Sequence, residues 1–217
     1  MPVAILLAHR YPVVREGLKA VFERHTDMHV IGETGNGLDT VTLAARLHPD
    51  VLIIDVMMPG LSGLEVTRQV RQRRPRTRVI VLSMSVNVTQ VRAAMRYGAA
   101  GYLLQEVSGN ELVQAVREVV AGRPYLSRVL AERLRTLQGQ RASTEVLDPY
   151  ETLTTREREV LHLAAEGRTY PEIAAVLGIS PSTVETHRAH LMKKLGLRTK
   201  TDLLRYALHR GILPAET

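Results

Sequence analysis

Five short apolar runs in the first half of the chain constrain its fold more than any other feature. They are VAILLA (3–8), MHVIGE (28–33), VLIID (51–55), RVIVLS (78–83) and GYLL (101–104). Between them lie segments with helical spacing, such as Val13, Gly17, Leu18 and Val21, or Val41, Leu43, Ala44 and Leu47. Strand-length runs that are apolar throughout are buried on both faces, and their alternation with helices specifies a parallel sheet covered on both sides. Ser62-x-x-Glu65 and Ser108-x-x-Glu111 have the pattern of a capping box and mark two helix starts. The expectation is a doubly wound α/β domain of five parallel strands over residues 1–122. Ligands of such sheets bind beyond the C-terminal strand ends, where the strand order reverses. That rule gathers His9, Arg10, Asp55, Ser83 and Gln105 into one candidate pocket.

The strand pattern then stops. GRPYLS (122–127) reads as a turn, and RVLAERLRTL (128–137) has helical spacing. GQRASTEVLDPYET (139–152) has no period, so 123–150 is expected to be a partly helical linker. Residues 151–217 read as four helices. Thr154-x-x-Glu157 opens the first and Gly167 closes it; YPEIAAVLG ends at Gly178. Ser180 precedes Pro181 as an N-cap before a proline at the first helical position. That opens PSTVETHRAHLMKKLG, and TKTDLLRYALHRG is the last helix.

Charge separates the halves further. The chain has a net charge of +7, and residues 168–210 alone hold eight arginines and lysines against three acids. A concentrated basic segment directs attention to nucleic acid. Two helices joined by Gly178-Ile179-Ser180 fit a helix-turn-helix. Spacing turns Val184, Leu191 and Leu195 inward. Ser182, Thr183, Glu185, Thr186, Ala189 and Lys193 then face outward, a small polar face suited to a major groove. Arg188, Lys194, Arg198 and Lys200 join Lys193 as candidates for DNA contact, with the lysines and Arg198 near phosphates, which position rather than specify. His187 and His190 read as packing or backbone-bonding residues. The run RQRRPRTR (71–78) reads as a solvated face, with an acidic or nucleic-acid partner as the lesser alternative.

Several classes are excluded or disfavoured. There are no cysteines, hence no disulfides and no thiolate chemistry. No apolar run reaches the ~18 residues of a membrane span, and no signal-peptide pattern is seen, so a cytoplasmic protein is expected. No nucleophile–base pair or metal cluster is legible, which argues against an enzyme and against any cofactor.

LTTREREVLHLAAEGRTYPEIAAVLGISPSTVETHRAHLMKKLGLRTKTDLLRYAL closely resembles a LuxR-type helix-turn-helix, with REREVL, EIA, LGIS, STVETH and KKLG at family spacing. The resemblance implies that the helix from Pro181 is the recognition helix. It also implies that Leu203, Leu204, Ala207 and Leu208 of the last helix serve dimerisation. The implied partner is double-stranded DNA with paired half-sites about one helical turn (~10 bp) apart, bound by a homodimer.

The first half resembles a response-regulator receiver of flavodoxin-like fold, and the whole chain resembles the NarL/FixJ class. The Asp-x-Met-Met-Pro-Gly-x-x-Gly pattern within VLIIDVMMPGLSGLEV carries the match. It implies Asp55 as phosphoacceptor, with Ser83 and Tyr102 as the coupled switch. Two positions depart from the family. His9 and Arg10 stand where an acidic pair belongs, and Gln105 stands where a lysine belongs. The family's phosphotransfer uses a magnesium ion, which wants carboxylate oxygens. Arginine repels the ion, and an Arg–carboxylate contact can be bidentate. Two readings stand at this level: Arg10 holds Asp55 in place of a metal, or Arg10 points to solvent and Asp55 is a relic. His9, with an ordinary pKa near ~6.5, is either a pH-sensitive group or a plain loop histidine. The leading expectation is a DNA-binding regulator controlled without phosphorylation, through dimerisation, another regulator or a small ligand. The alternative is a conventional regulator phosphorylated on Asp55 by a histidine kinase.

Overall fold

The computed structural model describes residues 2–84, 87–132 and 148–213. The chain divides into two compact units, residues 1–142 and 143–217. In the first unit, β1 (Val3–Ala8), β2 (Met28–Thr34), β3 (Val51–Asp55), β4 (Arg78–Ser83) and β5 (Gly101–Leu104) form a parallel sheet. Helices α1 (Pro12–Phe22), α2 (Gly37–Leu47), α3 (Gly63–Arg73), α4 (Val88–Arg96) and α5 (Gly109–Val120) connect and follow the strands.

The sheet has one more strand than the five expected. Tyr125–Leu126, read above as part of a turn, is β6 and pairs in parallel with β5. A two-residue strand is too short to carry a period, and the preceding Gly-Arg-Pro is turn chemistry. The chain is helical again over 128–132, while 133–147 of the expected linker lie outside the described residues.

Strand order is β2-β1-β3-β4-β5-β6. Side chains alternate across each strand, so one apolar run feeds two cores. Leu6, Ala8, Leu52, Ile54, Val79 and Val81 pack with α2, α3 and α4 residues such as Val41, Val66 and Val91. Ile5, Leu7, Val51, Ile53, Ile80 and Leu82 pack with Phe22, Leu112 and Val116 of α1 and α5. Complete burial of each valine, leucine, isoleucine or phenylalanine among them favours the fold by about 1.5–3 kcal/mol.

The strand order reverses at β1, between β2 and β3. Register then aligns the C-terminal strand ends: Ala8 pairs with Ile54, Asp55 with Leu82, and Ser83 with Leu104. His9, Asp55, Ser83 and Gln105 therefore sit in one row. Close backbone approach fixes the loop beyond Asp55. A Cβ at Gly63 would lie 2.1 Å from the Asp55 carbonyl oxygen, and one at Gly37 1.9 Å from that of Leu61, so neither position accepts a side chain without displacing backbone.

Among its described residues the second unit has a short 3-10 turn, Pro149–Thr152, and four helices: α6 (Thr155–Ala165), α7 (Tyr170–Leu177), α8 (Pro181–Leu195) and α9 (Lys200–Arg210). Thr154 and Glu157 form the reciprocal capping box at α6. Gly178 adopts φ +64°, the left-handed conformation that ends α7 and starts the tight turn into α8. Val160, Leu161, Leu163, Ile173, Val184, Leu191, Leu203 and Ala207 are buried as the core.

Candidate functional site

The first site lies at the strand ends of the sheet. Asp55 is 1% exposed, and its Oδ1 accepts a hydrogen bond from the Met57 amide at 3.1 Å. Among the described residues its Oδ2 has no hydrogen-bond partner but lies 3.5 Å from Arg10 Nε, itself buried without one among them. His9 Nε2 is 3.7 Å from the same oxygen. The expected Arg10–Asp55 meeting is therefore present, as a single-point ion pair rather than a bidentate fork. The geometry has a cause: Arg10 NH2 is turned to Met84 Sδ at 3.8 Å, and its guanidinium stacks 4.8 Å above the Tyr11 ring.

His9 is 1% exposed and held at both ends. Its carbonyl accepts from Arg15 NH1 at 2.7 Å. The Tyr11 amide donates to Nδ1 at 3.1 Å, which leaves the neutral ring's proton on Nε2, facing Asp55. The Gln105 amide group lies 3.1 Å from Nε2 and 3.4 Å from Asp55 Oδ1. It satisfies the ring with its oxygen or the carboxylate with its nitrogen, one of the two. Burial lowers the His9 pKa; Asp55 and Gln105 oppose this, while Arg10 and Arg15 add to it. Tyr102 is fully buried, and burial raises its phenol while the Ser83 hydroxyl opposes the rise. The row thus brings together all five residues expected in the pocket. Met57, Tyr11, Met84 and Arg15 complete it. Met57 stands in the Asp-x-Met-Met-Pro-Gly pattern, though its contact is made by its backbone; Tyr11, Met84 and Arg15 carried no signal of their own.

The second site is the outer face of α8. Ser182, Glu185, Thr186, Ala189 and Lys193 are exposed, and Thr183 and Arg188 are half-buried. Ser180 caps the helix by accepting from the Thr183 amide at 3.1 Å, and its hydroxyl lies 2.8 Å from those of Ser182 and Thr183. Arg198 and Lys200 are exposed beside it.

Three expectations change. Lys194 stays exposed, but its Nζ lies 2.7 Å from Glu157 Oε2 and 3.2 Å from the Thr152 carbonyl oxygen, so its charge is paired within the unit. Arg188 donates to the Tyr170 hydroxyl at 2.9 Å and lies over that ring. With Arg168 and Lys200 it lines a basic depression of about 220 Å3, in which Tyr170 and Arg168 are additions to the expected set. Leu203 and Ala207 are buried inside the unit, which leaves only Leu204 and Leu208 of the expected dimerisation set turned outward. Their spacing of four marks one helical stripe but not which side is covered by the unit itself.

Among the described residues, no helix is long and apolar enough to cross a membrane.

Comparison with known proteins places both units. Residues 5–117 match the family described as response regulator receiver domain, and residues 151–207 match the bacterial regulatory proteins of the luxR family. The chain is 39% identical to the transcriptional regulatory protein MctR of Rhizobium johnstonii, over 97% of this chain and 95% of that protein. It is 36% identical to the nitrate/nitrite response regulator NarL of Escherichia coli K12, over 93% of each. A solved structure of two RcsB dimers bound to two parallel DNAs is similar at 25% identity with a TM-score of 0.61, covering 95% of this chain and 98% of that one.

Two outcomes follow from this geometry. In the unfolded chain His9 titrates near about 6.5, whereas burial lowers its value in the fold. The unfolded state then binds more protons, so the stability this group contributes is intact above about pH 6.5 and declines as pH falls toward the lowered native value. Urea unfolding across pH is expected to give a flatter acid limb for His9→Gln than for the wild type; parallel limbs would contradict the burial argument. On α8, Lys193→Ala is expected to weaken DNA binding on every sequence and reduce the salt slope by about 1. Lys194→Ala is expected to act mainly on stability, by about 1 kcal/mol, with a smaller change in that slope.

Proposed function

The chain belongs to the response regulators that carry a receiver domain and a luxR-family DNA-binding domain, and on that premise we propose that its receiver works without phosphorylation of Asp55. Members of this family are transcriptional regulators and not enzymes, and the luxR-type helix-turn-helix binds DNA. The proposed role is that of a cytoplasmic, homodimeric regulator that reads paired half-sites through α8. Its control passes through dimerisation, a partner regulator or a small ligand.

One observation carries this reading: the groups that close over Asp55 are Arg10, His9 and Gln105. The magnesium ion of family phosphotransfer does not suit this set. Among the described residues no three histidine, aspartate or glutamate side chains gather to hold a metal. Magnesium is held in near-octahedral array by one or two carboxylates with waters, and among the described residues at these strand ends Asp55 is the carboxylate present, already paired with a cation. A guanidinium 3.5 Å from its Oδ2 opposes a dication in the same place. The ion pair supplies the compensating charge that a buried carboxylate needs. No phosphoryl step is therefore assigned to this pocket.

A second reading, phosphorylation by a histidine kinase, draws support from the retained Asp55, Ser83 and Tyr102. Incubation with acetyl phosphate and magnesium, followed by intact-mass measurement, separates the two. The wild type is expected to gain no phosphoryl group. A His9→Asp, Arg10→Asp, Gln105→Lys triple variant is the comparison, because it returns the acidic pair and the lysine. Magnesium-dependent phosphate on Asp55 of the wild type would overturn the proposal.

A further inference from the structure

The arginine run RQRRPRTR (71–78) serves neither site above, and the structure folds it around a cavity. Arg71 lies in the last turn of α3, Arg78 opens β4, and Arg123 follows α5. Together with Gly98 and Val119 they line a depression of about 200 Å3. It sits at the N-terminal edge of β4 and β5, the end of the sheet opposite Asp55.

We propose that this cavity binds a small phosphate-bearing anion, either free phosphate or a phosphate monoester. The cations are unequally committed. Arg123 meets both oxygens of Glu118, with NH2 at 3.1 Å from Oε1, and so forms a neutralised rim. Arg71 and Arg78 have no carboxylate within ion-pair reach among the described residues. Arg71 gives NH1 to the carbonyl oxygens of Pro75 and Thr77, which fixes the plane of its guanidinium. Its Nε is buried with no hydrogen-bond partner. That nitrogen packs against Gly98, so what Arg71 brings to the cavity is a guanidinium charge held in a fixed plane, a form in which arginine recognises phosphate.

The neighbours agree. Burial and the Arg78 charge both lower the Arg71 pKa, as expected for two cations that repel each other beside one cavity, a repulsion an anion between them removes. Gly98 stands at φ +89°, and a Cβ there would come within 3.1 Å of Arg71 Nε, so glycine leaves the guanidinium room to lie against the backbone. Arg71 spends NH1 on the Pro75 and Thr77 carbonyls just past α3, and Arg74, the residue that caps α3, donates to the Ala45 carbonyl oxygen of α2. Arg78 stands on a strand and has no such task. A cavity this small is below the range of drug-sized ligands and fits a head group rather than a whole nucleotide.

Calorimetric titration of the full chain with inorganic phosphate and, separately, with phosphoserine tests this, at constant ionic strength balanced with chloride. Saturable binding is expected, weakened about tenfold or more by Arg78→Gln and partly restored by Arg78→Lys. Arg123→Gln, at the exposed rim, leaves the strands untouched and is expected to weaken binding by a smaller factor, because it releases the Glu118 carboxylate toward the anion. Binding of phosphoserine alone assigns the site to a monoester, and binding of phosphate alone to the free anion. No saturable uptake of either, or uptake equal in the wild type, Arg78→Gln and Arg123→Gln, would overturn the proposal.

Discussion

A carboxylate sealed from water must be answered by a positive charge or by several donors, and Asp55 is such a group. At 1% exposure it has the Met57 amide and the Gln105 side chain at Oδ1, while among the described residues Oδ2 faces Arg10 and His9. In a medium of reduced polarity an uncompensated charge is costly, and the pairing of a single carboxylate with a single guanidinium balances it. The rest of the pocket follows from that balance. Met84 and Tyr11 hold the guanidinium from outside, and Arg15 and the Tyr11 amide fix the ring of His9. The sheet makes the balance geometrically available: parallel register delivers the ends of β1, β3, β4 and β5 to one edge.

The same distinction, between charge spent inside the fold and charge left for a partner, organises the helical unit. Lys194 and Lys193 are adjacent in sequence and differ in role, because one helical step turns the first toward Glu157 and the second outward. Tyr150 shows how far internal use of cations goes. Its ring lies between Arg158 and Arg210, at 4.4 and 4.0 Å, and its hydroxyl meets His162. Net charge therefore overstates what is offered to DNA. Lys193, Arg198 and Lys200, with the Tyr170-held Arg188, form the cationic part of the exposed face.

The central strands were legible because burial on both faces leaves an uninterrupted apolar signature, as in β3 and β5, whereas the edge strand β2 is mostly half-buried and carries His29 and Glu33. Helix ends were legible where a cap has its own chemistry, as at Thr154, Ser180 and Gly178. That Arg10 and Asp55 share one end of the sheet was legible through topology, since both stand just past or at the ends of paired strands; whether Arg10 turns to Asp55 or to solvent was not, and the ion pair decides it. What stayed hidden depends on contacts between distant residues or on backbone groups. The Met57 amide has no side-chain signal, and Met84 reaches Arg10 across 74 positions. β6 is too short for a period. The burial of Leu203 and Ala207 depends on which side of α9 the other helices cover, and an amphipathic stripe does not say whether a partner or its own domain covers it.

The central claim is that Arg10 occupies the charge-compensating role at Asp55 and leaves no place for a dication. The Met57 amide reports on it directly, because its proton is donated to Asp55 Oδ1. A magnesium titration of the full chain, followed by the Met57 amide resonance, is the most direct measurement. The expected result is a resonance that stays in place to tens of millimolar magnesium at constant ionic strength. A saturable shift at Met57, lost in Asp55→Asn, would contradict the claim.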